Sequence, residues 1–172
     1  MLSSLNLKRS ATALVLKKIT DLRLNLKARD WCRLPYPDHA HGCPNFNHKP
    51  TCPSQVPLLF DYFDLSQPLY LLAIQFNLAA HVARMLKSNP GWSDRQARCV
   101  LYWQGHVNKE LAETASTVCA SLVQSGRKCI YTTCPEAMGV NVIATALRCG
   151  VPIKVKPTDT VYKIAFIGYD HG

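Results

Sequence analysis

Four cysteines have the residue type and the setting to bind a metal. Cys32, Cys43 and Cys52 follow a C-x10-C-x8-C spacing, and Cys134 lies much later in the chain. Cys43, Cys52 and Cys134 are each followed directly by proline, which stiffens the backbone and recurs in ferredoxin-type ligand runs. The pattern predicts a metal centre built from Cys32, Cys43 and Cys52, with or without Cys134.

The spacing of these cysteines favours an iron–sulfur cluster. Structural zinc usually takes cysteines in pairs about two to four residues apart, and none of the four has such a partner. Single thiolates from separated positions suit the corners of a [4Fe–4S] cluster, which is the predicted cofactor. Zn²⁺ is the alternative, in which one loop histidine completes a Cys3His site. The candidate histidines are His39, His41 and His48.

The function of the predicted cluster depends on whether Cys134 binds its fourth iron. If Cys134 binds it, the cluster is saturated and acts structurally or as an electron carrier. If that position is open, the iron acts as a Lewis acid in a hydro-lyase or a sulfur-transfer enzyme. Glu136 follows the Cys134-Pro135 pair. It is interpreted either as a carboxylate that meets the dipole of the last helix or as a catalytic proton donor beside the metal.

The remaining cysteines are expected in the core. Cys99, Cys119 and Cys149 fall on apolar helix positions, and Cys129 opens the strand that leads to Cys134. Free cysteine commonly behaves as a small buried hydrophobe. A thiol redox pair of Cys129 and Cys134 is a further alternative, although the two are too far apart for the usual C-x-x-C motif.

The elements that must position these residues read as one α/β domain with a mixed sheet and a long metal-binding loop. A length of 172 residues corresponds to about one domain. Its predicted parts are a basic N-terminal segment (1–30), a Cys- and Pro-rich loop (31–57) and an α/β core (58–172). Six prolines interrupt regular structure in the loop, and a loop of this length usually needs a function or a ligand to hold it.

Hydrophobic periodicity predicts the individual elements. The N-terminal segment reads as a helix over 11–19 and a strand over 22–27. Later strands are predicted at 70–76, 129–133, 153–156 and 161–167, and helices at 78–87, 109–124 and 137–149. Ser93 and Gln96 form a capping box for a further helix, Gly105 is expected to break that helix, and Ser125-Gly126 is expected to stop the next one.

Charge and hydropathy restrict the partners. The net charge is +9, and residues 1–30 hold seven basic residues against two acidic ones. Such a surface suits an anionic partner, so a zinc-stabilised basic module that contacts nucleic acid is the alternative function. Nucleic acid is not favoured, because no zinc-finger or RNA-binding signature accompanies the charge. An unidentified small molecule or redox partner is expected instead.

No membrane association is expected, because polar residues interrupt the longest apolar run, 70–86. The apolar stretch 11–16 is six residues long and too short for a secretory signal, so we expect a cytoplasmic protein with reduced thiols.

Three segments resemble a known family. They are the run from Cys32 through Gly42-Cys43-Pro44 to Cys52-Pro53, the segment 136–142 and the segment 162–168. Together they resemble the predicted metal-binding proteins of unknown function, small cysteine-rich proteins of bacteria and archaea. The resemblance covers about half of the chain. It implies that the protein binds an iron–sulfur cluster and implies no particular reaction.

Overall fold

A four-stranded antiparallel sheet forms the centre of the protein. The computed structural model describes residues 13–35, 39–122 and 127–171. The strands are β1 (Leu14–Lys18), β2 (Tyr70–Asn77), β3 (Cys129–Thr132) and β4 (Thr160–Tyr169), in the order β1-β2-β4-β3. The predicted combination of helices with a sheet is confirmed, but the prediction of a mixed sheet is wrong. β4 inserts between β2 and β3, so each pairing of the described strands is antiparallel.

Apolar residues of the central strands alternate between two cores. Leu71, Ala73, Ile164 and Phe166 belong to one cluster, and Leu72, Ile74, Ala165 and Ile167 belong to the other. Successive side chains of a strand point to opposite faces, so both faces of β2 and β4 must be covered.

Helices supply this cover on both faces. α1 (Leu59–Tyr62) and α5 (Val142–Arg148) contribute buried residues to the first cluster. α2 (Leu78–Ser88), α3 (Asp94–Ala97) and α4 (Gln104–Ser121) contribute to the second. No helix of the described chain is long and apolar enough to cross a membrane.

The N-terminal segment differs from its predicted structure. Part of the predicted helix 11–19 is the strand β1, because it pairs with the edge of β2, and residues 1–12 lie outside the described residues. The predicted strand 22–27 forms only the single bridge Leu24↔Val140. A 3-10 helix (Leu26–Arg33) begins there instead, where the Asn25 side chain accepts a hydrogen bond from the Lys27 N–H.

The later elements agree more closely with prediction. The strands predicted at 70–76, 129–133 and 161–167 and the helix at 78–87 are confirmed within a few residues. The capping box of Ser93 and Gln96 is confirmed, but α3 ends at Ala97 and a short 3-10 helix (Val100–Tyr102) follows. Gly105 lies inside α4 rather than breaking a helix. The segment 153–156 forms no strand. The stop predicted at Ser125-Gly126 lies outside the described residues.

Candidate functional site

A backbone hydrogen bond brings the first two loop cysteines together. Cys32 lies in the last turn of the 3-10 helix, and its carbonyl accepts a 2.7 Å hydrogen bond from the Cys43 N–H. Gly42 makes this approach possible, since its φ is +81° and a Cβ there would lie 2.5 Å from the Cys32 carbonyl oxygen. Cys32 and Cys43 are therefore adjacent in the structure.

Cys52 is the most buried of the loop cysteines, with 9% of its surface exposed. The Lys49 N–H donates to its Sγ at 3.4 Å, and its thiol donates to the Asn45 carbonyl at 3.1 Å. Hydrogen bonds from a backbone N–H to sulfur, such as the one from Lys49, are typical around metal-binding thiolates, because they stabilise the negative charge of the sulfur. The fold therefore already holds Cys52 in a polar turn.

Arg29 attaches this part of the loop to the 3-10 helix. Its guanidinium donates to the carbonyls of Pro53 and Val56, the second at 3.2 Å. Arginine carries several donors in a planar fork, so one side chain can hold two carbonyls. The turn that contains Cys52 is therefore held by protein contacts.

Cys134 lies in the turn that follows β3. Its N–H donates to Thr132 Oγ1 at 3.3 Å, and its Sγ shares a 3.4 Å hydrogen bond with the same oxygen. The Cys134 carbonyl accepts from the Ala137 N–H at 3.0 Å, which continues the turn. Thr132 therefore orients both the backbone and the thiol of Cys134.

Glu136 lies in this turn and does not begin the last helix. α5 starts at Val142, where the Asn141 side chain caps the Ala144 N–H. The left-handed Gly139, with φ of +89°, reverses the chain before the helix. The interpretation of Glu136 as a carboxylate on the dipole of that helix is therefore wrong.

The four predicted ligands come into one electrostatic neighbourhood. Burial raises the pKa of Cys32, and the nearby thiols of Cys43 and Cys52 and the carboxylate of Glu136 raise it further. Burial also raises the pKa of Cys134; the hydrogen bond from Thr132 opposes this, and Glu136 and Cys52 add to it. Two segments that are distant in the chain thus converge. Within residues 13–35, 39–122 and 127–171, however, no three His, Cys, Asp or Glu side chains are arranged to hold a metal ion.

The loop histidines are placed differently. His41 and His48 are exposed and His39 is half-buried. The predicted Cys3His site therefore gains no support from their positions.

Two cavities meet at Cys134. One has a volume of about 590 Å³ and is also lined by Glu136 and Lys163. The other, of about 520 Å³, extends toward Cys119 and Cys129. Thr51 and Thr133 line both cavities together with Cys134. A small molecule could therefore approach Cys134 from either side of the turn.

Lys163 is the site residue that the sequence analysis missed. It lies in β4 among mainly apolar neighbours, in the segment VYKIAFIG. Burial lowers its pKa, and the charge of Glu136 opposes this shift. Glu136 lines the cavity and its side chain is exposed. Partial desolvation by the neighbouring protein raises its pKa, against the effect of its own backbone N–H and of Lys163. The signal in the sequence was the single charged residue, Lys163, in the otherwise largely apolar segment VYKIAFIG of β4.

The other cysteines lie outside this neighbourhood. Cys119 is buried on α4, as predicted, and interacts with Cys129 of β3. Burial and this contact raise the pKa of Cys119 to about 12. Cys99 and Cys149 are half-buried. Cys149 follows α5 and packs against the first core cluster, in agreement with the prediction, whereas Cys99 lies between α3 and the 3-10 helix Val100–Tyr102 and belongs to neither cluster.

Comparisons with protein families, curated proteins and solved structures give no match for this chain. The resemblance to the predicted metal-binding proteins therefore stays a prediction.

Proposed function

We propose that this chain is a cysteine-ligated metal-binding protein that holds a [4Fe–4S] cluster through Cys32, Cys43 and Cys52, with Cys134 as the fourth ligand. One observation carries the proposal: Thr51, the chain neighbour of Cys52, lines both cavities together with Cys134, so the loop lies beside the turn after β3, and the Cys52 thiol adds to the raised pKa of Cys134. Such convergence is expected of ligands that share one centre and unexpected of unrelated surface cysteines.

The donor chemistry fits a cluster or a zinc ion. Four thiols are the usual protein ligands of a [4Fe–4S] cluster and of one class of structural zinc. Because no three of these side chains are yet arranged as ligands in the described chain, binding would have to draw them together. Metal–ligand bonds have enough free energy to do this in small proteins. Cys32 and Cys43 are half-buried, which leaves their side chains room to move.

We propose electron transfer as the role of the centre, in the cytoplasm, where reduced thiols remain available. A bound cluster accepts and donates single electrons, and four cysteine ligands would leave no iron open to a substrate. Thr132 Oγ1 holds the Cys134 thiol through a shared hydrogen bond. An open fourth position would favour the cluster-dependent lyase or sulfur-transfer enzyme instead.

Metal analysis of anaerobically purified protein tests the proposal. We expect about four iron and four sulfide per chain, the composition of the cluster. Cys32→Ala, Cys43→Ala and Cys52→Ala should each abolish loading. Cys99→Ala and Cys149→Ala are matched controls, because both cysteines are half-buried and lie outside the site; they should load fully.

Two results would change the assignment. One zinc per chain without sulfide would overturn the cluster and favour the zinc-stabilised basic module, whose binding to nucleic acid would fall steeply with added salt. Full loading with an unchanged absorption spectrum in Cys134→Ala would remove Cys134 from the ligands. Cys134 and Glu136 would then become candidates for catalysis beside an open iron.

A further inference from the structure

The larger of the two cavities lies beside the part of β4 that β3 does not cover. β3 pairs only with residues 166–169 of β4. In the described chain, residues 160–165 of β4 therefore have the neighbouring strand β2 on one side and no strand on the other. The cavity of about 590 Å³ lies along this free edge. Its volume is within the usual range for small-molecule sites, about 300–1,000 Å³.

Two opposite charges face this cavity without pairing. Lys163 enters it from β4, and Glu136 enters it from the turn after β3. Each influences the ionisation of the other, yet among the described residues Lys163 forms neither an ion pair nor a side-chain hydrogen bond. Burial lowers the pKa of Lys163, which means that its charge is incompletely compensated. A ligand with one negative and one positive group could neutralise the charges of Lys163 and Glu136 at the same time.

Part of the remaining cavity wall is apolar. Trp103 is 7% exposed and Leu111 is 2% exposed, and both reach the cavity from the α4 side. Ile164 adds a third apolar side chain from β4. A small apolar group would bury surface here at a gain of about 25 cal/mol per Å².

We propose that this cavity binds a small zwitterion of the α-amino acid class with an apolar side chain. The ligand carboxylate lies at Lys163, its ammonium lies at Glu136, and its side chain contacts the apolar wall. A simple anion is disfavoured because Glu136 repels it, and a simple amine is disfavoured because Lys163 repels it. The proposal goes beyond the metal centre and does not depend on it, since both charged groups belong to the chain.

Calorimetric titration with three matched probes tests the proposal. L-phenylalanine carries both charges, 3-phenylpropanoate lacks the ammonium, and 2-phenylethylamine lacks the carboxylate. We expect L-phenylalanine to bind at least tenfold more tightly than either analogue, because charge-assisted hydrogen bonds in a partly buried site are strong. The titration is run on anaerobically purified protein and on chelator-treated protein, and the same order is expected in both.

Variants assign the two charges. Lys163→Met should weaken L-phenylalanine about tenfold or more and leave 2-phenylethylamine no weaker. Glu136→Gln should weaken L-phenylalanine similarly and leave 3-phenylpropanoate no weaker. Lys154→Met is the control, because Lys154 lines the same cavity but is exposed. Equal affinities for the three probes, or no binding of L-phenylalanine by correctly folded wild-type protein, would overturn the proposal whatever the metal content.

Discussion

The backbone N–H of Cys43 donates a 2.7 Å hydrogen bond to the carbonyl of Cys32. This contact brings two cysteines together whose spacing, with ten intervening residues, gives no local reason to meet. Gly42 lies against the Cys32 and Arg33 backbone at the point of contact. Backbone contacts of the protein therefore set the approach of Cys43 to Cys32.

Gly42→Ala should open this contact. The added Cβ would lie 2.5 Å from the Cys32 carbonyl oxygen, so the backbone must move. Gly150→Ala is a matched control, because its φ of +77° is similar but nothing lies within 4 Å of the added Cβ. We expect Gly150→Ala to lower the free energy of unfolding by about 1–2 kcal/mol, the usual cost of a left-handed non-glycine residue. Gly42→Ala should cost more and also impair metal loading, as measured by denaturant unfolding and iron analysis. Equal costs would contradict the close approach.

Arg29→Met should loosen the turn around Cys52. It removes the hydrogen bonds to the Pro53 and Val56 carbonyls. Each hydrogen bond to a charged group contributes about 1.5–3 kcal/mol at most. We expect faster amide exchange and earlier proteolysis within 39–57, with the sheet still protected. Lys27→Met is the control, because its exposed side chain lies in the same 3-10 helix. Unchanged exchange in Arg29→Met would show that the turn is held by other contacts.

The buried thiol of Cys119 predicts a loss of stability in alkali. Burial and the contact with Cys129 raise the pKa of Cys119 from its ordinary value of 9.0 to about 12. As the pH rises, the thiol therefore loses its proton in the unfolded chain before it does so in the folded protein. The contribution of the protonated Cys119 thiol to the free energy of unfolding is complete below pH 9 and declines as the pH rises toward 12. We expect Cys119→Ala to flatten the fall in unfolding free energy above pH 9, as measured by urea denaturation. Cys99→Ala is the control for loss of a thiol. An unchanged slope in Cys119→Ala would contradict the prediction.

The edge strand β1 predicts an effect of charge on self-association. β1 is the terminal strand of the sheet, and both Leu14 and Leu16 are more than one-third exposed. Lys17 and Lys18 are also exposed on this strand, and edge lysines discourage pairing with another chain. The double variant Lys17→Thr/Lys18→Thr should increase association in light scattering. Lys154→Thr/Lys156→Thr, which removes the same charge elsewhere, should not. Equal behaviour of both variants would assign the effect to net charge alone.

Local patterns were sufficient for several elements. The apolar runs at 70–76 and 161–167 predict strands, because each is long enough to be buried on both faces. The capping box of Ser93 and Gln96 was legible because its two hydrogen bonds join residues three positions apart. Residue type, together with the prolines after Cys43, Cys52 and Cys134, also predicts the candidate ligands, and this remains a prediction.

What the sequence by itself determined was therefore the set of strong local elements, whereas the role of its cysteines as metal ligands stays a prediction. Only the tertiary structure decided that 14–18 is a strand, because its pairing with β2 outweighs its local preference. It also decided that β4 separates β2 from β3, which makes the sheet antiparallel and leaves part of β4 uncovered. Lys163 and Glu136 line one cavity beside that edge. Such contacts join residues distant along the chain, and no local periodicity records which distant segments will pack together.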